Sequence, residues 1–97
     1  MAKGYWIAHV DVTDPEGYKQ YVAANAVAFA KYGGKFLVRG GQHEVTSGAA
    51  RSRHVILEFK DYATALACYR SPEYAHAKTI RDKYSKADVI VVEGWDG

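Results

Sequence analysis

RHVILEFKDYATALACYRSPEY, running from Arg53 to Tyr74, is the stretch whose reading decides the fold. Its first part, His54-Val55-Ile56-Leu57-Glu58-Phe59, is β-branched and apolar with polar residues at its borders, the pattern of a central strand. Asp61 follows, a short carboxylate suited to accept from the first free amides of a helix. Tyr62, Leu66 and Tyr69 then recur at helical spacing. Ser71-Pro72-Glu73 combines a capping hydroxyl, a first-turn proline and an acid, so the helix should break near Ser71 and restart in a new direction. The second piece is expected to reach about Tyr84, with Tyr74, Ala77, Ile80 and Tyr84 facing inward.

Upstream, Tyr5 to Val12 alternates: Trp6, Ala8, Val10 and Val12 on one face, Tyr5, Ile7, His9 and Asp11 on the other. Asp14-Pro15-Glu16 opens a helix by the same chemistry as Ser71-Pro72-Glu73. Its apolar stripe reads Tyr18, Val22, Ala26, Phe29 and Tyr32, and Gly33-Gly34 ends it. Lys35 to Arg39 is a second strand, with Phe36 and Val38 on one face and Lys35, Leu37 and Arg39 opposite. Gly40-Gly41 terminates it, and residues 42–52 lack any period and read as a long loop. Asp88 to Glu93 is a fourth strand.

The order β-α-β-β-α-β predicts an α+β, ferredoxin-like architecture: a four-stranded antiparallel sheet with the helices on one face, and the first and third strands as central neighbours. Val55, Leu57 and Phe59 should then meet the helices together with Trp6, Ala8 and Val10 and with Phe36 and Val38. With 97 residues the chain is expected to form one domain, residues 1–97.

Composition excludes several classes. The content is 48% hydrophobic and 25% charged, ordinary for a globular protein, and no run approaches the roughly 20 apolar residues of a membrane helix. The start, Met-Ala-Lys-Gly-Tyr-Trp, enters strand-like sequence without a signal peptide's apolar core, so a cytoplasmic location is expected. A net charge of +2 with scattered basic residues argues against a nucleic-acid footprint. The densest run, Lys78, Arg81, Lys83 and Lys86, is interrupted by Asp82 and Asp88 and reads as a solvated helix face. The single Cys68, among Ala65, Leu66 and Ala67, reads as a buried structural thiol. Eight tyrosines exceed what is ordinary; such residues line half-wet pockets and interfaces as well as cores.

A two-layer fold leaves one sheet face uncovered. Here it would carry Tyr5, Ile7, His9, Asp11, Leu37, Arg39, His54, Ile56 and Glu58, greasy at one end and ionic at the other. A second copy of the chain is the simplest cover, giving a homodimer with a cavity between the paired sheets. In such a site Arg39 would hold an anion, beside Tyr5, Ile7 and the rim residue His43. His9 or His54 would move protons, with Glu58 as the orienting partner. The alternative is a purely structural ion-pair network made of the same residues. No metal or cofactor is expected, since the histidines lack close ligand spacing. His76 should face solvent, and Arg81 should serve structure by reaching a helix end or a carboxylate such as Glu73.

The segment Gly33-Gly34-Lys35-Phe36-Leu37-Val38-Arg39-Gly40-Gly41, followed by Glu58-Phe59 and Tyr69-Arg70-Ser71-Pro72-Glu73-Tyr74, resembles the bacterial domain of unknown function 1330 family. Asp14-Pro15-Glu16, Tyr18, Tyr21, Arg39, Tyr69 and Arg81 fall on positions of its pattern. The chain departs from it in having Tyr69 where tryptophan is frequent, and in an extra Gly17 before Tyr18. The resemblance implies a dimeric α+β barrel, two ferredoxin-like sheets face to face. Similar barrels include cofactor-free monooxygenases, haem-degrading enzymes, lactone isomerases and ligand sensors, so the fold alone selects no reaction. Three functions stay open: a small-molecule-binding dimer with acid–base chemistry on an anionic or aromatic metabolite, a non-catalytic interaction module, and an oxygenase or haem-binding protein.

Overall fold

The computed structural model describes residues 2–97. Its elements are β1 (Gly4–Val12), α1 (Pro15–Tyr32), β2 (Lys35–Arg39), β3 (Arg53–Phe59), α2 (Tyr62–Tyr69), α3 (Pro72–Tyr84) and β4 (Ser85–Glu93). The four strands form one antiparallel sheet in the order β2-β3-β1-β4, so β1 and β3 are central. This is the ferredoxin-like α+β arrangement.

Each helix start is set by its cap. An Asp14 carboxylate oxygen accepts from the Gly17 amide at 3.2 Å, and Asp61 accepts from the Thr64 amide at 2.7 Å. Ser71 accepts from the Tyr74 amide at 3.1 Å and donates its own hydroxyl to the Cys68 carbonyl at 2.7 Å. One hydroxyl thus ends α2 and begins α3, which is why the break falls there. Among the described residues, no helix is long and apolar enough to cross a membrane.

The core lies between the sheet and the helices. Trp6 is its centre: it is 1% exposed, and the rings of Phe29, Tyr69 and Tyr74 meet it edge-on at centroid distances of 5.1, 5.2 and 4.8 Å. Its indole N–H donates to the Ala65 carbonyl at 2.8 Å, tying β1 to α2. Cys68 is buried beside it, its thiol donating to the Ala28 carbonyl at 3.7 Å, and burial pushes the thiol up to about 12.

Two details differ from the sequence reading. The fourth strand begins at Ser85 rather than Asp88, directly after α3. The Tyr84 carbonyl accepts from the Thr13 and Asp14 amides, and Ser85 donates to the Arg81 carbonyl at 2.6 Å, so no separate loop is needed. On α1 the buried stripe runs through Tyr18, Tyr21, Asn25, Ala28 and Phe29, while Ala26 is exposed. Asn25 lies seven residues after Tyr18, two helical turns, and so shares its face despite being polar.

Gly17 explains its own presence. A Cβ there would lie 2.2 Å from the Tyr84 ring, where α1 crosses α3. An alanine normally favours a helix interior over glycine, but here overpacking reverses the sign. Gly17→Ala is expected to destabilise the protein by about 1–3 kcal/mol. A lowered urea midpoint with unchanged slope would register it; an unchanged midpoint would mean the helices can separate at no cost.

Candidate functional site

The site begins with an irregularity in β2. Phe36 pairs with Leu57 and Val38 with Ile56, so Leu37 is an extra residue and the alternation slips by one. Arg39 consequently pairs with Val55 and stands on the helix side of the sheet, and Val38 takes the outer face. The sequence reading placed these two the other way round, because strict alternation from Lys35 does not foresee a bulge.

Between the sheet and helices α1 and α3 is a cavity of about 30 Å³. That is room for about one water or the head group of a larger molecule. Its polar lining consists of Arg39, Arg53, Arg81, Tyr18, Tyr21, Tyr74 and Asn25, set in apolar walls that include Trp6, Phe29, Phe36 and Leu57. Arg39 is exposed and forms the rim; Arg81 and Tyr74, 5% and 1% exposed, form the floor.

Each guanidinium is held differently. Arg39 lies over the Phe36 ring at 4.2 Å, which leaves its edges free. Arg53 lies over the Tyr18 ring at 5.9 Å, and its Nε is buried with no hydrogen-bond partner. Gly40 has φ +67°, and a Cβ there would sit 2.2 Å from Arg53 Nη1, so only glycine lets Arg53 take this position. Arg81 donates from Nη1 to the Tyr74 hydroxyl at 3.0 Å, and from Nε and Nη2 to Asp82 Oδ1 at 3.2 and 3.1 Å. Arg81 thus does reach a carboxylate, though it is Asp82 and not Glu73, which pairs with Lys31 at 2.9 Å.

The phenols form a chain. Tyr21 and Tyr74 share a hydrogen bond of 2.8 Å, and Asn25 lies one helical turn after Tyr21 on the same buried face of α1. Because a guanidinium only donates, the Tyr74 oxygen accepts from Arg81, and its own proton is left for Tyr21 or the cavity. Burial raises the pKa of Tyr18, Tyr21 and Tyr74, outweighing the nearby arginines at Tyr18 and Tyr74. They are neutral donors at physiological pH. Among the described residues, no carboxylate lines the cavity, and neither Arg39 nor Arg53 has an ion-pair partner.

The other sequence candidates sit across the sheet. His9 and His54 face each other on adjacent strands, with their Nδ1 atoms 2.8 Å apart, and the His43 ring meets His54 at 4.4 Å. Glu58 is not their partner. It lies at the far end of β3, where its carboxylate accepts from Lys3 at 3.1 Å and the Tyr5 hydroxyl at 3.2 Å. The Lys3 hydrogen bond is the main reason its pKa is depressed, with burial opposing. Tyr5 and Ile7 lie on this outer face, half-buried, and His76 is exposed. The fold therefore joins the histidines to one another but separates them from Arg39.

Sequence reasoning missed Asn25 and Arg53 as site residues, and treated Tyr18, Tyr74 and Arg81 as structural. A signal was present: Tyr18, Tyr21 and Asn25 share one face of α1, and Tyr74 and Arg81 on α3 have the same seven-residue spacing as Tyr18 and Asn25, a polar edge inside an apolar stripe.

These elements define a ferredoxin-like α+β protein with a cationic, tyrosine-lined cavity beneath its helices. The chain belongs to the DUF1330 family, a domain of unknown function, whose model matches residues 3–95. No curated protein matches it in sequence. Similar solved structures include a protein of unknown function from Rhodopseudomonas palustris, 17% identical over 99% of this chain and 85% of that one, with a TM-score of 0.76. SnoaB, a cofactor-independent oxygenase from Streptomyces nogalater, is 13% identical over 100% of this chain and 97% of its own, at 0.66. A dimeric ferredoxin-like protein of unknown function from Thermobifida fusca is 16% identical over 95% and 89%, at 0.61. At these identities the likeness is one of fold.

Proposed function

We propose that the protein binds the carboxylate head group of a small organic anion in this cavity, one per protomer, and that two protomers pair through their outer sheet faces. One observation carries the first part: a buried Arg53 Nε without a partner, in a cavity with two further guanidiniums and no carboxylate. An orphaned cationic donor is costly unless an anion completes it, and guanidiniums match carboxylates with paired hydrogen bonds. The lining includes neither imidazole nor carboxylate, so it has no general base for a ligand bound there. That favours binding over acid–base catalysis in the cavity. A catalytic role for His9 or His54 would need a second site between paired sheets.

Formate and its neutral isostere formamide separate the readings. Calorimetric or NMR titration should give saturable binding of formate alone. Equal response to both, or to neither, would reduce the cavity to a structural network of arginines and tyrosines.

For the dimer, the support is the outer face: Leu37, Ile90 and Val92 are 47, 54 and 39% exposed, beside Val38 and Ile56. The dimeric Thermobifida protein has the same fold. Ile90→Lys places a charge on the most exposed residue of this patch and should convert a sedimenting dimer to a monomer. Unchanged sedimentation would move the interface elsewhere.

A further inference from the structure

The loop of residues 40–52 connects two of the cavity arginines: Arg39 immediately precedes it and Arg53 follows it. It crosses to the outer sheet face and is held there at two points. At one, the His43 ring packs edge-on against His54, itself bonded through Nδ1 to His9. At the other, Arg51 donates to Asp11 at 2.9 Å and to Asp88 at 2.8 Å, while the Ser52 amide donates to Asp11 at 2.9 Å.

We propose that the His9–His54–His43 cluster is a proton-operated latch that holds this loop down when neutral and releases it on acidification, lowering the affinity of the anion site. The regulation rests on the anion-binding reading of the cavity; the latch itself does not.

The chemistry of the cluster is restrictive. A bond between two Nδ1 atoms requires one to carry a proton and the other a bare lone pair. The pair keeps that bond after gaining one proton, at the free Nε2 of the donating ring. A second proton makes both Nδ1 atoms donors at 2.8 Å, and the bond is lost. A charge on His43 then meets like charge across the 4.4 Å ring contact. A doubly protonated His9–His54 pair is therefore incompatible with the closed geometry.

The surrounding charges do not relieve this. On the same face β1 contributes Asp11, β4 contributes Lys86 and Asp88, and the loop carries Glu44 and Arg51. Arg51 engages both aspartates, which limits their use as counter-ions for an imidazolium. Burial, followed by His43 and His9, lowers the pKa of His54 from the ordinary histidine value. The sign follows: a depressed folded pKa gives stability that is present above the unfolded value and is lost as pH falls through the folded one. Asp11 is held below the ordinary carboxylate range by the Ser52 amide and Arg51, so that anchor persists to lower pH than the histidine contact.

Formate should bind about tenfold more weakly at about pH 5.5 than at about pH 7.5. General electrostatics predicts the opposite, because the protein becomes more positive. His43→Gln should reduce this loss to roughly threefold or less. Formate affinity that is equal or tighter at the lower pH, or a loss undiminished in His43→Gln, overturns the proposal. Hydrogen exchange of the loop amides, corrected for intrinsic rates, tests the latch without ligand: protection of the Gly40 amide, which donates to the His54 carbonyl at 2.9 Å, should drop as pH falls in the wild type and stay level in His43→Gln, while the Ser52 amide on Asp11 stays protected. Unchanged protection overturns the latch and leaves anion binding standing. Absent formate binding with lost protection overturns the cavity reading and leaves the latch.

Discussion

Trp6→Ala is expected to destabilise the protein by about 3–5 kcal/mol. Total stability for a domain of this size is about 5–15 kcal/mol, so this is a large share of it. Trp6 is 1% exposed and touches all three helices through the rings of Phe29 (α1), Tyr69 (α2) and Tyr74 (α3). Truncation opens a cavity between aromatic groups that cannot collapse into it, and leaves the Ala65 carbonyl without its donor. A thermal melt followed by circular dichroism should show a midpoint lower by roughly 15–30 °C. Trp6→Phe separates the two contributions: it keeps most of the volume, removes the N–H, and should cost about 1–3 kcal/mol. If both variants melted within a few degrees of the wild type, Trp6 would not be the centre of the core.

Arg53→Met should abolish most anion binding without lowering stability. A hydrogen bond to a charged group is worth about 1.5–3 kcal/mol, so formate affinity should fall roughly tenfold to a hundredfold. The unliganded protein, however, now carries a buried Nε with no partner. Methionine fills similar space and removes that orphan, so the melting midpoint should stay level or rise. Arg81→Met is the counterpart. It also removes a cavity guanidinium, but it breaks bonds to Tyr74 and Asp82 and should lower the midpoint. Opposite stability signs for two arginines of one cavity distinguish a residue kept for a ligand from one that also supports the fold. A destabilised Arg53→Met with intact formate binding would remove Arg53 from the site.

The architecture was legible because its signals are local. Asp14, Asp61 and Ser71 cap the helices they precede, Pro72 sets the break between α2 and α3, and Gly33 at φ +71° closes α1. Each depends on a few neighbouring residues, and so does the alternation of Trp6, Ala8 and Val10. The match of the DUF1330 model to residues 3–95 agrees with the same motifs.

The site was less legible, and the reason is the bulge at Leu37. One unpaired residue exchanges the faces of Val38 and Arg39, and nothing in Lys35-Phe36-Leu37-Val38-Arg39 announces it. Arg39 therefore joined His9, His54 and Glu58 in the sequence reading, although it stands on the other side of the sheet from them. Asn25 was passed over because the eye follows apolar residues, and Ala26 offered one a step away.

By itself the sequence determined the order of elements, their caps and breaks, and the two central strands, since these follow from backbone chemistry within a turn or two of helix. Only the tertiary structure decided that Arg39, Arg53 and Arg81 share a cavity with Tyr18, Tyr21 and Tyr74, and that His9 meets His54 instead of Glu58. Those groups are far apart along the chain, and which of them meet depends on strand register and helix crossing, quantities set by packing across the whole molecule.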